Sequence, residues 1–177
     1  MRDFVDDLLD AWRRERPDLD HSPVGVVGRL SRAARVAESA IAANFAAHGL
    51  DRASYDVLAT LRRAGPPYER TPGDLLRSSM VTSGAVTQRL DRLEQRGLVA
   101  RRRSGRDARS VVVQLTEAGL AAVEDVLPTH LATEREVLSP LTAREQEQLA
   151  DLLRRLLAAH ERRPAGVTAG DAAGRDA

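Results

Sequence analysis

The stretch VTSGAVTQRLDRLEQRGLVARRRSGRDARSVVVQLT, residues 81–116, decides the fold. Apolar residues recur at helical spacing in its first half: Val86, Leu90 and Leu93. This repeat runs into Gly97, a residue suited to the left-handed conformation that ends many helices. Two strand-like segments follow, over residues 98–103 and 109–115, with a loop rich in Arg, Gly and Asp between them. The stretch therefore predicts a helix followed by a two-stranded ribbon that carries a charged loop.

Two shorter helices are predicted before this one. The first covers about residues 53–64 and ends at a Gly-Pro-Pro sequence. The second has Thr71 as its N-cap, Pro72 at its first helical position and Asp74 in its first turn. Helix, helix, turn, helix, strand, loop, strand is the order of a winged helix-turn-helix. We therefore expect a mainly helical fold with a small β wing.

Longer helices are predicted on the N-terminal side. Residues 4–15 form a helix that ends before Pro17, and residues 24–48 form a long one that stops at Gly49. The first has four apolar residues at helical spacing, which predicts that they share one face: Phe4, Leu8, Leu9 and Trp12. The second is longer than a small lobe requires, which favours contact with a partner.

The C-terminal side is also predicted to be helical. Thr116 caps a helix that runs to about residue 138, and Pro128 predicts a kink or break inside it. Thr142 and Glu145 form the capping box of a last helix. Its apolar stripe consists of Leu149, Leu152, Leu153, Leu156 and Leu157. Residues 164–177 have no periodicity and are expected to be a disordered tail.

Composition excludes several classes of protein. The chain has no cysteine, so it has no disulfide and no thiolate nucleophile. The four histidines are scattered, and no phosphate loop or nucleophile motif occurs, so we expect neither an enzyme nor a cofactor or metal site. No segment reaches the ~18 apolar residues of a membrane span, and residues 1–20 do not resemble a signal peptide. We therefore expect a soluble cytoplasmic protein.

Charge is distributed unevenly along the chain. Residues 77–109 hold nine arginines against three acids, a net charge of +6, although the whole chain carries only +1. Residues 1–20 hold seven acids against four arginines, and residues 117–163 hold nine against six. A basic centre between two acidic segments indicates a polyanionic partner such as double-stranded DNA.

The third helix of the motif would enter the major groove, with its apolar face turned inward. The residues expected to face the DNA are Ser83, Gly84, Thr87 and Gln88, beside Asp91. In the wing, Arg106 and Arg109 would reach the adjacent minor groove or the phosphates, with Asp107 orienting Arg109. Arg102 and Arg103 on the first wing strand would contact the DNA backbone.

These motifs resemble the MarR family of transcriptional regulators, whose Asp-x-Arg wing signature is matched by Asp107-Ala108-Arg109. The resemblance covers about residues 24–162 and implies a homodimer on a pseudo-palindromic operator, with repression as the default. The expected organisation is an extra helix and linker over 1–22, a dimerisation region over 23–50 and 117–163, a winged lobe over 51–116, and the tail.

The additional N-terminal helix resembles the urate-responsive branch of that family. The resemblance implies a site for urate or a related purine at four residues: Trp12, Asp56, Arg89 and Arg101. A flat anionic heterocycle suits an aromatic face and guanidinium groups. We expect Asp56 to pair with Arg89 when the site is empty, and a captured Arg89 to move the DNA-reading helix. Trp12 could instead pack in the core.

Two alternatives stay open. The effector could be a different anion, phenolic or polycarboxylate, with the same DNA-binding role. The helical protein could also be an interaction module that binds another protein instead of DNA. Binding to DNA that weakens steeply with salt distinguishes a DNA-binding regulator from such an interaction module.

Overall fold

The computed structural model describes residues 2–78, 83–103 and 111–161, with side chains at all of these except 77, 78, 83–86 and 161. Its elements in chain order are α1 (Phe4–Glu15), α2 (Ser22–Ala47), α3 (Arg52–Arg63), β1 (Glu69–Arg70), α4 (Pro72–Ser78), α5 (Ser83–Gln95), β2 (Val99–Arg103), β3 (Val111–Leu115), α6 (Glu117–Leu138) and α7 (Ala143–Glu161). The chain divides into two units, Met1–Val137 and Leu138–Ala177. The predicted tail lies outside the described residues.

Local signals set the ends of the helices in the winged lobe. The Asp74 N–H donates to Thr71 Oγ1 at 3.1 Å, and the Thr71 N–H donates to Asp74 Oδ2 at 3.3 Å, which closes a capping box at the start of α4. Gly97 has a φ of +70° directly after α5. The predicted helix–helix–turn–helix order, with Thr71 as a cap and Gly97 as a stop, is confirmed.

The core of the first unit holds α5 in place. Leu90 is 2% exposed and Leu93 is fully buried. They pack in one cluster with residues of α3, α4 and the sheet: Leu58, Leu61, Leu75, Val99 and Val113. Burying a leucine side chain contributes about 1.5–3 kcal/mol, so these two residues fix the rotation of α5 about its axis. The side chain of Val86, the third predicted inner residue, lies outside the described part.

The wing is a sheet of three antiparallel strands in the order β1-β3-β2. Strands β2 and β3 pair from Val99↔Leu115 to Arg103↔Val111, which confirms the predicted ribbon, although β2 starts one residue later than predicted. Strand β1 was missed by the sequence prediction, because two residues after a proline pair give no alternation to detect. Its Glu69 bonds to Arg102 on β2.

Helix α1 packs on α2 through a different face from the one predicted. Val5 and Leu9 are buried, whereas Phe4, Leu8 and Trp12 are 60%, 36% and 47% exposed. The reason lies in α2, where Gly28 and Gly25 offer space that the Val5 and Leu9 side chains fill. Of the four residues predicted to share one face, only Leu9 therefore lies against α2, and Phe4, Leu8 and Trp12 stay exposed.

A single arginine of α2 anchors the start of α1. Arg29 donates to Asp3 Oδ2 at 2.9 Å and to Asp6 Oδ1 at 2.7 Å. Asp3 is also the N-cap of α1, since its Oδ1 accepts from the Val5 and Asp6 N–H groups. The cap of one helix is thus also its attachment to the next.

Helix α6 starts against the turn that follows α5. The Thr116 hydroxyl accepts from the Gly119 N–H at 2.9 Å, as its predicted cap role requires, and donates to the Gly97 carbonyl at 2.6 Å. A Cβ on Gly119 would lie 1.8 Å from the Leu98 carbonyl oxygen, so only glycine permits this approach.

Of the kink or break predicted at Pro128, the break does not occur, because α6 continues through Pro128 to Leu138. Proline removes only one backbone hydrogen-bond donor from the helix. The turns before it are held in place by the buried side chains of Val123 and Val126, so the helix continues. The Thr129 hydroxyl also donates to the Val126 carbonyl at 2.9 Å.

The second unit contains α7. Its predicted capping box is confirmed: the Thr142 N–H donates to Glu145 Oε2 at 2.8 Å. Its leucines are largely exposed, with Leu152 at 58% and Leu157 at 57%. Across the described parts of the chain, no helix is both long and apolar enough to cross a bilayer.

Replacing Gly119 by alanine should destabilise the first unit strongly. The added methyl group would overlap the Leu98 backbone, which cannot rotate away, so we expect a loss of about 3 kcal/mol or more in urea denaturation. Gly25→Ala is the matched control, since its methyl group would lie 3.5 Å from Leu9; it should gain up to about 1 kcal/mol from helix propensity. Equal stability of the two variants would contradict the close approach.

Asp6→Asn should remove a pH-dependent part of the stability. The Asp3 N–H and then the Arg29 guanidinium hold the pKa of Asp6 below its ordinary value of 3.8. A depressed folded-state pKa stabilises the fold above the ordinary value, and this contribution is lost as the pH falls through the folded-state value. The wild-type chain should therefore exceed the variant in stability at pH 7 by a margin that shrinks in acid.

Urea denaturation followed by fluorescence of Trp12, the single tryptophan, measures this margin at each pH. Glu15→Gln, an exposed change on the same helix, is the control and should show no comparable dependence. A margin for Asp6→Asn that widens on acidification would be inconsistent with the Arg29 anchor.

Candidate nucleic-acid interface and ligand site

The outward face of α5 carries short polar side chains. Thr87 and Gln88 are both exposed; Gln88 lies on the side of the helix opposite the buried Leu90 and Leu93, and Thr87 lies on the flank between the two sides. The hydroxyl and amide groups can donate and accept hydrogen bonds, as contacts to phosphates and base edges require. Both predicted positions are therefore accessible; the side chains of Ser83 and Gly84 lie outside the described part.

The two arginines predicted on the first wing strand differ in their surroundings. Arg102 donates through Nε to Gln114 Oε1 at 2.9 Å and also pairs with Glu69, so its charge is engaged within the sheet. Arg103 is exposed and forms no ion pair with any described residue. Arg103 is thus the better placed of the two to meet a phosphate. The wing-tip predictions, Arg106, Asp107 and Arg109, lie outside the described residues.

Arg101 braces the wing against α5. The Arg101 guanidinium lies 2.6 Å from Asp91 Oδ1 and 3.0 Å from Glu94 Oε2. The backbone N–H of Arg101 donates to Glu94 Oε1 at 3.1 Å. A cation with two carboxylates is already neutralised. Its predicted role in binding a ligand would require it to leave at least one of them.

Arg89 pairs with Asp51, and the predicted pairing with Asp56 was wrong. Arg89 Nε lies 3.7 Å from Asp51 Oδ1, and the Arg89 side chain is only 18% exposed. Asp51 ends the connection from α2 and caps α3, accepting from the Ser54 N–H at 2.6 Å. It is therefore placed to hold α5 and the start of α3 together.

Three influences act on the Asp51 carboxyl group. Burial alone would raise its pKa, but the hydrogen bonds from Ser54 and the charge of Arg89 outweigh it and hold the pKa below the ordinary value. Asp51 therefore stays ionised at neutral pH, and Arg89 keeps its partner. The sequence prediction missed the pairing of Asp51 with Arg89, because residues this far apart in the chain leave no local signal.

Asp56 lies in a cleft of about 490 Å³ between α2, α3 and α6. The cleft wall includes Phe45, Tyr55 and His130, together with further apolar and charged residues: Ile41, Arg52, Ala53, Ala59, Arg63, Leu127, Leu131 and Glu134. Trp12, Arg89 and Arg101 do not line it. Among the cavities formed by the described residues, the one that contains Asp56 therefore does not gather the four predicted ligand residues.

Trp12 stacks on His21 in the linker after α1, with ring centroids 5.9 Å apart. At 47% exposure it does not fill the core of this unit. Its role as a ligand contact stays a prediction. No group of three or more metal-binding side chains occurs among the residues that the structure describes.

Known proteins provide an independent comparison. Residues 48–110 match the model of the MarR family. The chain is 41% identical over 152 residues to the HTH-type transcriptional regulator PecS of Dickeya dadantii (strain 3937), which covers 86% of this chain and 92% of PecS.

Two solved structures are similar over most of the chain. A mutant MarR of E. coli complexed with operator DNA is 28% identical, with a TM-score of 0.66 over 82% of this chain and 97% of that one. BpsR of Bordetella bronchiseptica, whose DNA binding is regulated by 6-hydroxynicotinic acid, is 26% identical, with a TM-score of 0.65 over 75% and 98%. The exposed polar face of α5, the braced wing and these similarities agree: the chain belongs to the MarR family of transcriptional regulators.

Proposed function

We propose that the chain is a repressor that binds a pseudo-palindromic operator as a homodimer and is released by urate or a related purine. The observation that carries the DNA-binding role is the exposure of Thr87 and Gln88 on a helix whose Leu90 and Leu93 are buried. Such a regulator acts in the cytoplasm, where it meets its operator.

The DNA contacts follow from this placement. The N-terminal half of α5 would read the major groove through Ser83, Gly84, Thr87 and Gln88. Arg103 and the wing-tip Arg106 and Arg109, oriented by Asp107, would neutralise phosphates or enter the adjacent minor groove. Arg102 would join them only by exchanging Glu69 for a phosphate.

Exposed apolar surface supports the homodimer. Helix α2 exposes Val26, Val27 and Val36 at 68%, 59% and 62%, and α7 independently exposes a leucine stripe. Apolar surface of this extent is normally covered by a partner. Two copies related by a twofold axis would place their α5 helices about 34 Å apart, one turn of DNA.

The ion pair between Arg89 and Asp51 supports control by an anion. A ligand that attracts Arg89 competes with Asp51 and changes how α5 is held. Such a ligand would bind better when Arg89 has left Asp51 than when the pair is intact. It would therefore shift the population away from the DNA-binding state. Trp12, Asp56 and Arg101 would complete the ligand's surroundings. The similarity to BpsR favours an aromatic acid as the second candidate effector.

Binding to the DNA upstream of the chain's own gene tests the proposal. We expect saturable binding whose logarithm falls linearly with the logarithm of salt concentration, and urate or xanthine should dissociate the complex. Salicylate and citrate serve as comparison anions. Specific binding that only salicylate reverses would select the second candidate, and no saturable binding to DNA would favour a protein-interaction module.

Arg103→Gln should weaken binding to all DNA sequences alike. Losing one phosphate contact lowers the slope of log affinity against log salt by about one. The control is Arg14→Gln, an exposed arginine of α1, which should leave the slope unchanged. Identical slopes for wild type and Arg103→Gln would place the wing strand away from the phosphates.

A further inference from the structure

Asp91 places a negative charge beside Thr87 and Gln88, the exposed residues of α5 that carry the proposed function. It follows Thr87 by four positions and Gln88 by three, and residues at these spacings are neighbours on a helix surface. The Asp91 side chain is 47% exposed. An unpaired carboxylate at this point would repel the phosphates of a duplex that lies on α5.

A second acid lies close to the first on the same helix. Glu94 follows Asp91 by three positions, so the two carboxylates are neighbours, and the Glu94 side chain is 39% exposed. Arg92 lies between them in the sequence, is exposed and forms no ion pair with any described residue. From Leu90 to Gln95, the end of α5, the acids therefore outnumber the bases.

Arg101 of β2 supplies the missing positive charge. Its guanidinium lies 2.6 Å from one Asp91 oxygen and 3.0 Å from one Glu94 oxygen, so a single cation contacts both acids. At such distances the field of each carboxylate is largely cancelled by that of the guanidinium when it is felt from farther away. The wing thus contributes a charge that α5 lacks.

The backbone of the wing holds Arg101 beside the two acids. The Arg101 N–H donates to Glu94 Oε1 at 3.1 Å, and Arg101 pairs on the sheet with Val113, which is fully buried. Because the backbone is already fixed, only the side chain loses conformational entropy when the guanidinium binds. The contact is therefore part of the folded lobe and does not depend on a chance meeting of two flexible side chains.

We infer that Arg101 supports DNA binding indirectly, by cancelling the negative charge of Asp91 and Glu94 next to the DNA-facing surface of α5. It makes no phosphate contact in this role. The inference explains how a helix that faces DNA can carry two exposed acids. It rests on the proposed function in one respect: α5 must be the helix that meets the duplex.

Changing the two acids to their amides separates charge from geometry. Asp91→Asn with Glu94→Gln removes both negative charges but keeps oxygen atoms that can accept from Arg101. At ~50 mM salt, where screening is weak, this double variant should bind the DNA upstream of the chain's own gene about fivefold more tightly than wild type. An affinity no higher than that of wild type would overturn the inference.

Arg101→Gln tests the same charge from the other side. It leaves both acids without their cation and should weaken binding about fivefold at the same salt concentration. Because surface charges are screened by salt, the difference from wild type should shrink when the salt is raised to ~300 mM. Unchanged affinity, or a loss that is the same at both salt concentrations, would contradict charge cancellation.

Combining all three substitutions tests whether Arg101 acts only by bracing the wing on α5. This triple variant lacks the cation and both acids, so it should bind DNA at least as tightly as wild type although the brace is gone. Weak binding by the triple variant would show that the brace itself is required and would overturn the inference.

Arg16→Gln is the matched control. Arg16 donates to Asp18 at 2.8 and 2.7 Å in the linker after α1, so this change also removes one cation and leaves an acid unpaired, but away from α5. It should leave the affinity for DNA within about twofold of wild type, because an exposed charge beyond the screening distance is hardly felt. A loss equal to that of Arg101→Gln would attribute the effect to net charge alone and refute the inference.

Wild-type binding separates this inference from the proposed function. No saturable binding of DNA by the wild-type chain would refute the proposed function and the inference with it. Saturable wild-type binding that neither the double variant nor Arg101→Gln alters would refute the inference alone. Thermal unfolding verifies that each variant is folded, and the double variant, which retains Arg101, decides the matter if Arg101→Gln does not fold.

Discussion

Burial of Leu90 and Leu93 is the constraint on which the rest depends. Nothing within a helix of 13 residues decides which of its sides faces the core. The two leucines set the rotation of α5 about its axis by filling the space between α3, α4 and the sheet. Once they are inside, helical geometry places Gln88 on the opposite, exposed side, and Thr87 is exposed on the flank. The surface chemistry of α5 is therefore a consequence of its core contacts.

Ion pairs further hold α5 in the position that the two leucines set. Arg89 ties α5 to the N-cap of α3, and Arg101 ties its C-terminal half to the wing. These pairs are partly exposed, so each contributes only about 1 kcal/mol. Contacts of this strength can be exchanged for an anionic ligand or a phosphate without unfolding the lobe, as a regulator that changes between two states requires.

Features encoded by neighbouring residues could be predicted from the sequence. The bounds of α1, the Thr71, Thr116 and Thr142 caps and the Gly97 stop are local in this sense. Features that depend on distant residues could not. Gly25 and Gly28 decide which face of α1 is buried, β3 decides that Glu69 and Arg70 form a strand, and the fold decides that Arg89 meets Asp51.

The contact of Gly119 with Leu98 has a mechanical consequence. From Gly119 to His130, α6 rises about 1.5 Å per residue, roughly 16 Å in all, between the turn behind α5 and the cleft. At the turn the Gly119 backbone lies directly against the Leu98 backbone, and the Thr116 hydroxyl joins the start of α6 to the Gly97 carbonyl. A tilt of α6 at the cleft would therefore be transmitted to the turn behind α5, because the tight backbone contact there leaves little room to absorb the movement.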